Sequence, residues 1–172
     1  MSANKAGSSP ALCCGVRLSA VQPICDHAPR EASRVGDVMD KSTGADRPFT
    51  VVWDHVHLRV TDPDAAAAWF EDVLCGEVLR TPGRVDVILG GQKIFLLKAP
   101  DTDKPSPAHP HRGLDHFGVH VKDIDQVAAT LKAKGVRFIA EPQTPRPGIR
   151  IAFLEGPDGV SIEILERDEK YR

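Results

Sequence analysis

The sequence has no long apolar run, no block of basic residues and no CxxC pair of cysteines, and each absence excludes a class of protein. Nowhere do roughly 18 apolar residues follow one another, the length that a membrane span needs. The 22 basic and 24 acidic residues give a formal charge of −2 and form no basic stripe. Nucleic acid and membrane surfaces are therefore not expected as partners. The expected partner is a small molecule.

Cysteine is sparse, with four residues at positions 13, 14, 25 and 75. Cys13 and Cys14 are adjacent and lack the spacing of a zinc site, so no cysteine metal site is expected. Cys75 is the only cysteine in the part of the chain expected to fold. This favours a reducing, cytoplasmic location over a disulfide-bonded scaffold.

Residues 1–48 are rich in Ser, Ala, Gly and Pro and show neither helical nor strand periodicity. We interpret them as a disordered N-terminal extension, followed by a single domain at 50–168. Translation from Met39 is an alternative that would omit residues 1–38.

The domain contains an internal repeat. Trp53–Val60 reads WDHVHLRV and Leu114–Val121 reads LDHFGVHV, and the two align without a gap at an offset of 61 residues, so that His55 corresponds to His116. An aspartate-containing turn follows each run and caps a predicted helix, at 65–74 and at 126–134.

Three short strand-like runs follow each predicted helix. They lie at 77–80, 85–89 and 93–98 in the first copy, and at 136–140, 149–154 and 160–166 in the second. The sequence therefore predicts an α+β fold of two βαβββ modules, module one at 51–99 and module two at 114–167. A Pro- and His-rich linker at 100–113 joins them.

Alternation along the strands places His55 and His57 on the face opposite the apolar residues that pack under the helix. The same rule places His116 and His120 on that face of module two, together with Glu163 of the last strand. Two imidazoles and a carboxylate that converge are suitable ligands for a first-row divalent metal. The sequence thus predicts a metal site of His55, His116 and Glu163.

Residues 51–167 resemble the vicinal oxygen chelate superfamily. It includes glyoxalase I, extradiol dioxygenases, methylmalonyl-CoA epimerase and the fosfomycin and bleomycin resistance proteins. The resemblance rests on DHVHL in the first strand, LDHFGV in the fifth and GPDGVSIEI before the C-terminus. It implies that the modules pair into a U-shaped, partly closed barrel, and it implies the same three ligands.

The chain departs from many glyoxalase I proteins at Phe95. They have a fourth ligand, a glutamate, in the last strand of module one, whereas this segment reads Ile94-Phe95-Leu96. A three-ligand site resembles that of ring-cleaving extradiol dioxygenases and favours Fe(II), with Mn, Ni or Zn as alternatives. Other readings are a glyoxalase-like lyase or isomerase, a thiol transferase, or a metal-free protein that binds a drug or metabolite.

Other side chains complete the predicted site. His57 or His120 is a candidate acid-base group or a support for the ligands. Phe95 and Arg59 are candidate substrate contacts, whereas His109 and His111 are read as ordinary loop residues. The resemblance also implies a homodimer.

Overall fold

The structure is a computed structural model that describes residue 49 and residues 51–171. The predicted extension at 1–48 lies outside the described residues. Module one consists of β1 (His55–Val60), α1 (Pro63–Leu74), β2 (Glu77–Thr81), β3 (Arg84–Leu89) and β4 (Gln92–Lys98). Module two consists of β5 (Phe117–His120), α2 (Ile124–Ala133), β6 (Phe138–Arg146), β7 (Ile149–Glu155) and β8 (Ser161–Arg167).

Each module forms a four-stranded mixed sheet, ordered β1-β4-β3-β2 in module one and β5-β8-β7-β6 in module two. The first strand of each module pairs in parallel with the last, and the other pairs are antiparallel. The predicted α+β fold of two βαβββ modules is confirmed. The two sheets remain separate and do not close into a barrel.

Helix α1 begins at an N-cap that the sequence supplies locally. The Asp62 carboxylate accepts hydrogen bonds from the N–H groups of Asp64 and Ala65, and Pro63 occupies the first turn. Beyond the helix, Gly76 is required for packing, because a Cβ there would lie 2.7 Å from Cγ1 of Val87 on β3. The end of α1 is therefore held close against its own sheet.

Helix α2 is capped partly from a distant strand. Asp123 accepts from the N–H of Gln126, and the Glu166 carboxylate of β8 accepts from the N–H groups of Asp123 and Ile124, at 3.0 and 3.2 Å. These two backbone donors hold the pKa of Glu166 below its usual value. The second helix is thus fastened to the strand that also carries Glu163.

Strand β6 is longer than the predicted 136–140. It runs to Arg146 through Pro142 and Pro145, with register shifts along its pairing with β7. Proline cannot donate to a ladder, but β6 is an edge strand and its irregular pairing accommodates the missing donors. The extension was not predicted because proline is uncommon inside strands.

The apolar faces of both sheets and helices share one core, and fully buried Phe70 of α1 and Ile124 of α2 both belong to it. Hydrogen bonds also link the modules: Thr61 donates to Asp158 through its backbone N–H and its hydroxyl, and the Lys134 ammonium donates to Asp72. The two modules therefore pack against each other within one chain.

Cys75 is disulfide-bonded, and the other three cysteines lie outside the described residues. The expectation of a folded region without a disulfide is therefore wrong. Among the described residues, no helix is long and apolar enough to cross a membrane.

Candidate metal centre

One side of each sheet packs under its helix, and the candidate residues lie on the other side, which we call the site face. In module one the site face carries His55, His57 and Phe95, while Val60 and Ile94 point into the core at 1% and 3% exposure. In module two it carries His116, Gly118, Phe153 and Glu163. The burial of Val60 and Ile94 agrees with the face that strand alternation predicts for their neighbours.

Glu163 and His116 approach each other on the site face of module two, where Nε2 of His116 lies 3.8 Å from Oε2 of Glu163. The Glu163 side chain is 18% exposed, and no Lys or Arg among the described residues pairs with it. Gly118 makes room for this carboxylate, since a Cβ at that position would lie 3.0 Å from Oε2. The glycine thus lets the Glu163 carboxylate, which pairs with no Lys or Arg of the described residues, face an imidazole.

Asp115 fixes the orientation of His116. Its Oδ2 lies 2.9 Å from Nδ1 of His116, and its Oδ1 accepts the N–H of His111 at 2.6 Å. The bond to His116, followed by the backbone bond, lowers the pKa of Asp115 to about 2. Asp115 thus holds the Nδ1 side of the ring, and Nε2 is the nitrogen that faces Glu163.

The linker brings two more histidines to Asp115. Nδ1 of His109 lies 2.8 Å from Oδ2, and Nδ1 of His111 lies 3.4 Å from Oδ1, but neither nitrogen is aligned for a hydrogen bond. Within the described residues, His109, Asp115 and His116 form the group of three potential ligands whose atoms all lie within 4.8 Å of one another. Their clustering was not predicted from the sequence.

His55 occupies the corresponding position in module one. Its Nδ1 lies 2.6 Å from Oδ2 of Asp54, which mirrors the Asp115–His116 pair, and its ring stacks on Phe95 with centroids 4.1 Å apart. The bond to His55 lowers the pKa of Asp54. In this chain His55 does not join His116 and Glu163 in a group of mutually close ligand atoms.

The registers of the two sheets establish which residues correspond. Phe95 stands opposite His57 of β1 and Asp86 of β3, whereas Glu163 stands opposite Gly118 of β5 and Phe153 of β7. Phe95 therefore holds the place of Glu163. The next strand of each sheet shows the reverse arrangement. There module one has the carboxylate of Asp86 on β3, and module two has the aromatic ring of Phe153 on β7.

The other candidate side chains are less tightly held. The His57 ring meets Phe95 edge-on at 6.2 Å, and the side chain of His120 has no polar or ring contact with another described residue. Nε of Arg59 lies 2.5 Å from Asp103, at an open groove of about 820 Å³ beside the linker. That groove is lined by His57 and Arg59 but not by His116 or Glu163.

The donor set of module two suits a divalent metal. Two ligand atoms that each lie about 2.0–2.2 Å from a shared metal are roughly 3–4 Å apart, and the 3.8 Å between Nε2 of His116 and Oε2 of Glu163 fits that range. The carboxylate behind His116 is also the usual support of a metal-bound imidazole. The pair therefore fits half of a metal centre.

Comparison with known proteins identifies the family. The model of the Glyoxalase/Bleomycin resistance protein/Dioxygenase superfamily matches residues 53–164. The chain belongs to this superfamily, which confirms the resemblance found in its motifs.

Individual relatives differ in activity. The chain is 27% identical over 152 residues to a 2-epi-5-epi-valiolone epimerase of Actinomyces sp., covering 72% of this chain and 83% of that protein. It is 28% identical to a probable lactoylglutathione lyase of Synechocystis sp., covering 67% and 95%. The solved structure of the fosfomycin resistance protein FosX from Listeria monocytogenes is similar in fold, with a TM-score of 0.58 and 15% identity over 72% of this chain and 99% of that one.

Proposed function

We propose that this protein is a metal-dependent enzyme that acts on a small substrate through the substrate's chelating oxygen atoms. The observation that carries the proposal is the pair of His116 and Glu163. One imidazole nitrogen faces the carboxylate at 3.8 Å, the other is held by Asp115, and no Lys or Arg among the described residues neutralises Glu163. A half-buried carboxylate without a cation is costly unless a metal or a proton compensates it.

The third ligand is His55, and we propose that a second copy of the chain provides it. The Asp54–His55 pair has the same form as the Asp115–His116 pair, yet one chain does not gather all three ligands. A homodimer in which module one of one chain faces module two of the other would complete the site. Each dimer would then hold two equivalent sites.

Three protein ligands leave open positions on a metal. A bound divalent ion would polarise a chelated oxygen or, as Fe(II), activate dioxygen. Fe(II) is the proposed metal and a ring-cleaving reaction the proposed chemistry, with Mn, Ni or Zn as alternatives. His57 of module one and His120 of module two are the proposed acid–base groups.

A second candidate is lyase or isomerase chemistry, and the named relatives favour it. One is called an epimerase and the other a probable lactoylglutathione lyase. Thiol transfer and metal-free sequestration of a drug or metabolite are further alternatives, the latter suggested by the aromatic Phe95. Metal identity separates them, since Fe(II) points to oxygen chemistry and Ni or Zn to isomerisation or elimination.

Metal analysis of the purified full chain tests the proposal. Glu163→Ala should lose bound metal, whereas Glu141→Ala, which removes an exposed carboxylate paired with Lys132, should keep it. Elemental analysis and titration with a competing chelator give content and affinity. If the wild-type protein binds no divalent metal, or if both variants bind it equally, the proposal is wrong.

The location of the protein stays a prediction. A cytoplasmic location was expected from cysteine usage, but disulfides such as that of Cys75 are rare in reducing compartments. The wild-type protein purified without reductant should show whether that bond forms.

A further inference from the structure

Phe95 lies between two other planar groups on the site face of module one. The His55 ring stacks on it at 4.1 Å and 21°, and the guanidinium carbon of Arg84 lies 4.0 Å from its centroid. Strand β4 runs between β1 and β3, and two groups cannot both stand that close over one side of a ring. His55 and Arg84 therefore cover opposite sides of Phe95.

Asp86 fixes the plane of the guanidinium. Nε of Arg84 lies 2.8 Å from both carboxylate oxygens of Asp86, and Nη2 lies 2.5 Å from Oδ2. Asp86 is 6% exposed, whereas the Arg84 side chain is 48% exposed. The buried acid thus holds one edge of the guanidinium, while Nη1 donates to no described residue.

Two cations and two carboxylates surround Phe95, so an anion meets no net negative charge there. Lys93 places its ammonium 5.6 Å from the same ring, and Asp86 is already neutralised by Arg84. Asp54 is engaged by His55 on the other side. The guanidinium is held in one orientation, has unused N–H groups and is separated from the candidate ligand His55 by the Phe95 ring. Its geometry matches the fork that recognises carboxylate and phosphate oxygens.

We propose that Arg84 is an anion-binding residue, and that the substrate carries a carboxylate or phosphate group in addition to its chelating oxygens. This rests on the proposed function insofar as it places the anion in the site that contains His55, on the other side of Phe95. Asp86 and Phe95 act as positioning residues, because the first holds the guanidinium edge and the second supports its face. The same two contacts distinguish Arg84 from an ordinary surface arginine.

Binding of inorganic phosphate and of malonate tests this site. Both are titrated into the full-length protein by calorimetry at low ionic strength, before and after removal of metal by a chelator. Arg84→Met should weaken the tighter anion at least tenfold, and Arg84→Lys should weaken it less because it keeps the charge. Comparison of the two anions shows whether the site prefers a tetrahedral phosphate or a planar carboxylate group.

Matched variants keep the result interpretable. Arg80→Met removes an arginine of similar exposure that pairs with Asp64, and it should leave anion binding unchanged. Arg84→Met/Asp86→Asn avoids leaving a buried unpaired carboxylate if the single variant unfolds, and it should lose binding as well. In metal-free protein, Glu163→Ala should bind the anion normally, so this site and the metal site fail independently.

The outcomes are distinct. Loss of anion binding in both Arg84→Met variants, with Arg80→Met and Glu163→Ala intact, supports the proposal. Absence of anion binding by the wild type, or equal binding by the wild type and Arg84→Met/Asp86→Asn, would overturn it.

Discussion

The two modules share one fold but differ at matching positions of their site faces. Module two places Glu163 on its last strand and Phe153 on the neighbouring strand, whereas module one places Phe95 on its last strand and Asp86 on the neighbour. Asp86 is bound by Arg84, and Glu163 faces an imidazole. One exchange of an aromatic and an acidic residue thus separates the proposed metal-binding face of module two from the proposed anion-binding face of module one.

The aspartates that precede His55 and His116 also differ between the modules, in exposure and in the number of histidines they contact. Asp115 is 21% exposed and is approached by three histidines, while Asp54 is 77% exposed and contacts His55. An equivalent hydrogen bond is more firmly held where water is excluded. His116 is therefore held by the less exposed of the two aspartates.

The largest expected change in metal affinity comes from replacing the aspartate behind each histidine. Asp115→Asn should weaken metal affinity by about 10–100-fold, the range typical for the carboxylate behind a metal-bound histidine. Asp54→Asn should weaken it much less, because that carboxylate is solvated. Chelator competition measures both, and equal losses would show that the two modules support their histidines alike.

A smaller effect is expected from closing the space that admits Glu163. In Gly118→Ala the new Cβ would stand 3.0 Å from Oε2 of Glu163 and 3.2 Å from Cδ2 of Leu165, so the carboxylate must shift by a few tenths of an ångström. Metal affinity should fall several-fold while thermal stability changes little.

His57→Ala is the matched change at the equivalent position of module one, and it should leave metal affinity intact. Metal titration of the Gly118→Ala and His57→Ala proteins measures both affinities. A Gly118→Ala protein with wild-type affinity would mean that Glu163 does not need its observed position.

The smallest effect concerns the cap of α2. Because the folded-state pKa of Glu166 is lowered, its stabilisation is complete above the ordinary pKa near 4.5 and disappears as the pH falls through the lower folded value. Glu166→Gln should therefore lower the free energy of unfolding by about 1 kcal/mol at pH 7, and by less at pH 3.

Denaturant unfolding at both pH values gives the comparison. Asp62→Asn, at the locally capped α1, provides the reference from module one and should cost little, because asparagine also caps helices. A loss that stays constant between the two pH values would contradict a role for the Glu166 charge.

Sequence periodicity predicted the order of strands and helices, because the two histidine motifs repeat at a fixed offset and each is followed by a capping aspartate. It also placed His55, His116 and Glu163 on the correct faces. Alternation reports the face of a residue, but not what stands opposite on the next strand. The exchange of Phe95 and Asp86 against Glu163 and Phe153 therefore emerged only from the registers.

The linker histidines show a second limit. His109 and His111 lie among prolines without periodicity, and no spacing rule connects them to Asp115. Their approach depends on the path of the whole linker, which local patterns do not encode. The signal that was available is the Asp-His pair itself, which occurs in both motifs and predicts an orienting carboxylate for each histidine.

The central claim is that one metal site uses His55 of one chain with His116 and Glu163 of another. Mixing His55→Ala chains with Glu163→Ala chains, after dissociation and reassociation, tests it through bound metal per mole of protein. We expect neither variant alone to hold metal at high affinity, and the mixed dimers to recover one intact site each. If the mixture stays as empty as its parents while mixed dimers form, the site lies within a single chain and the account is wrong.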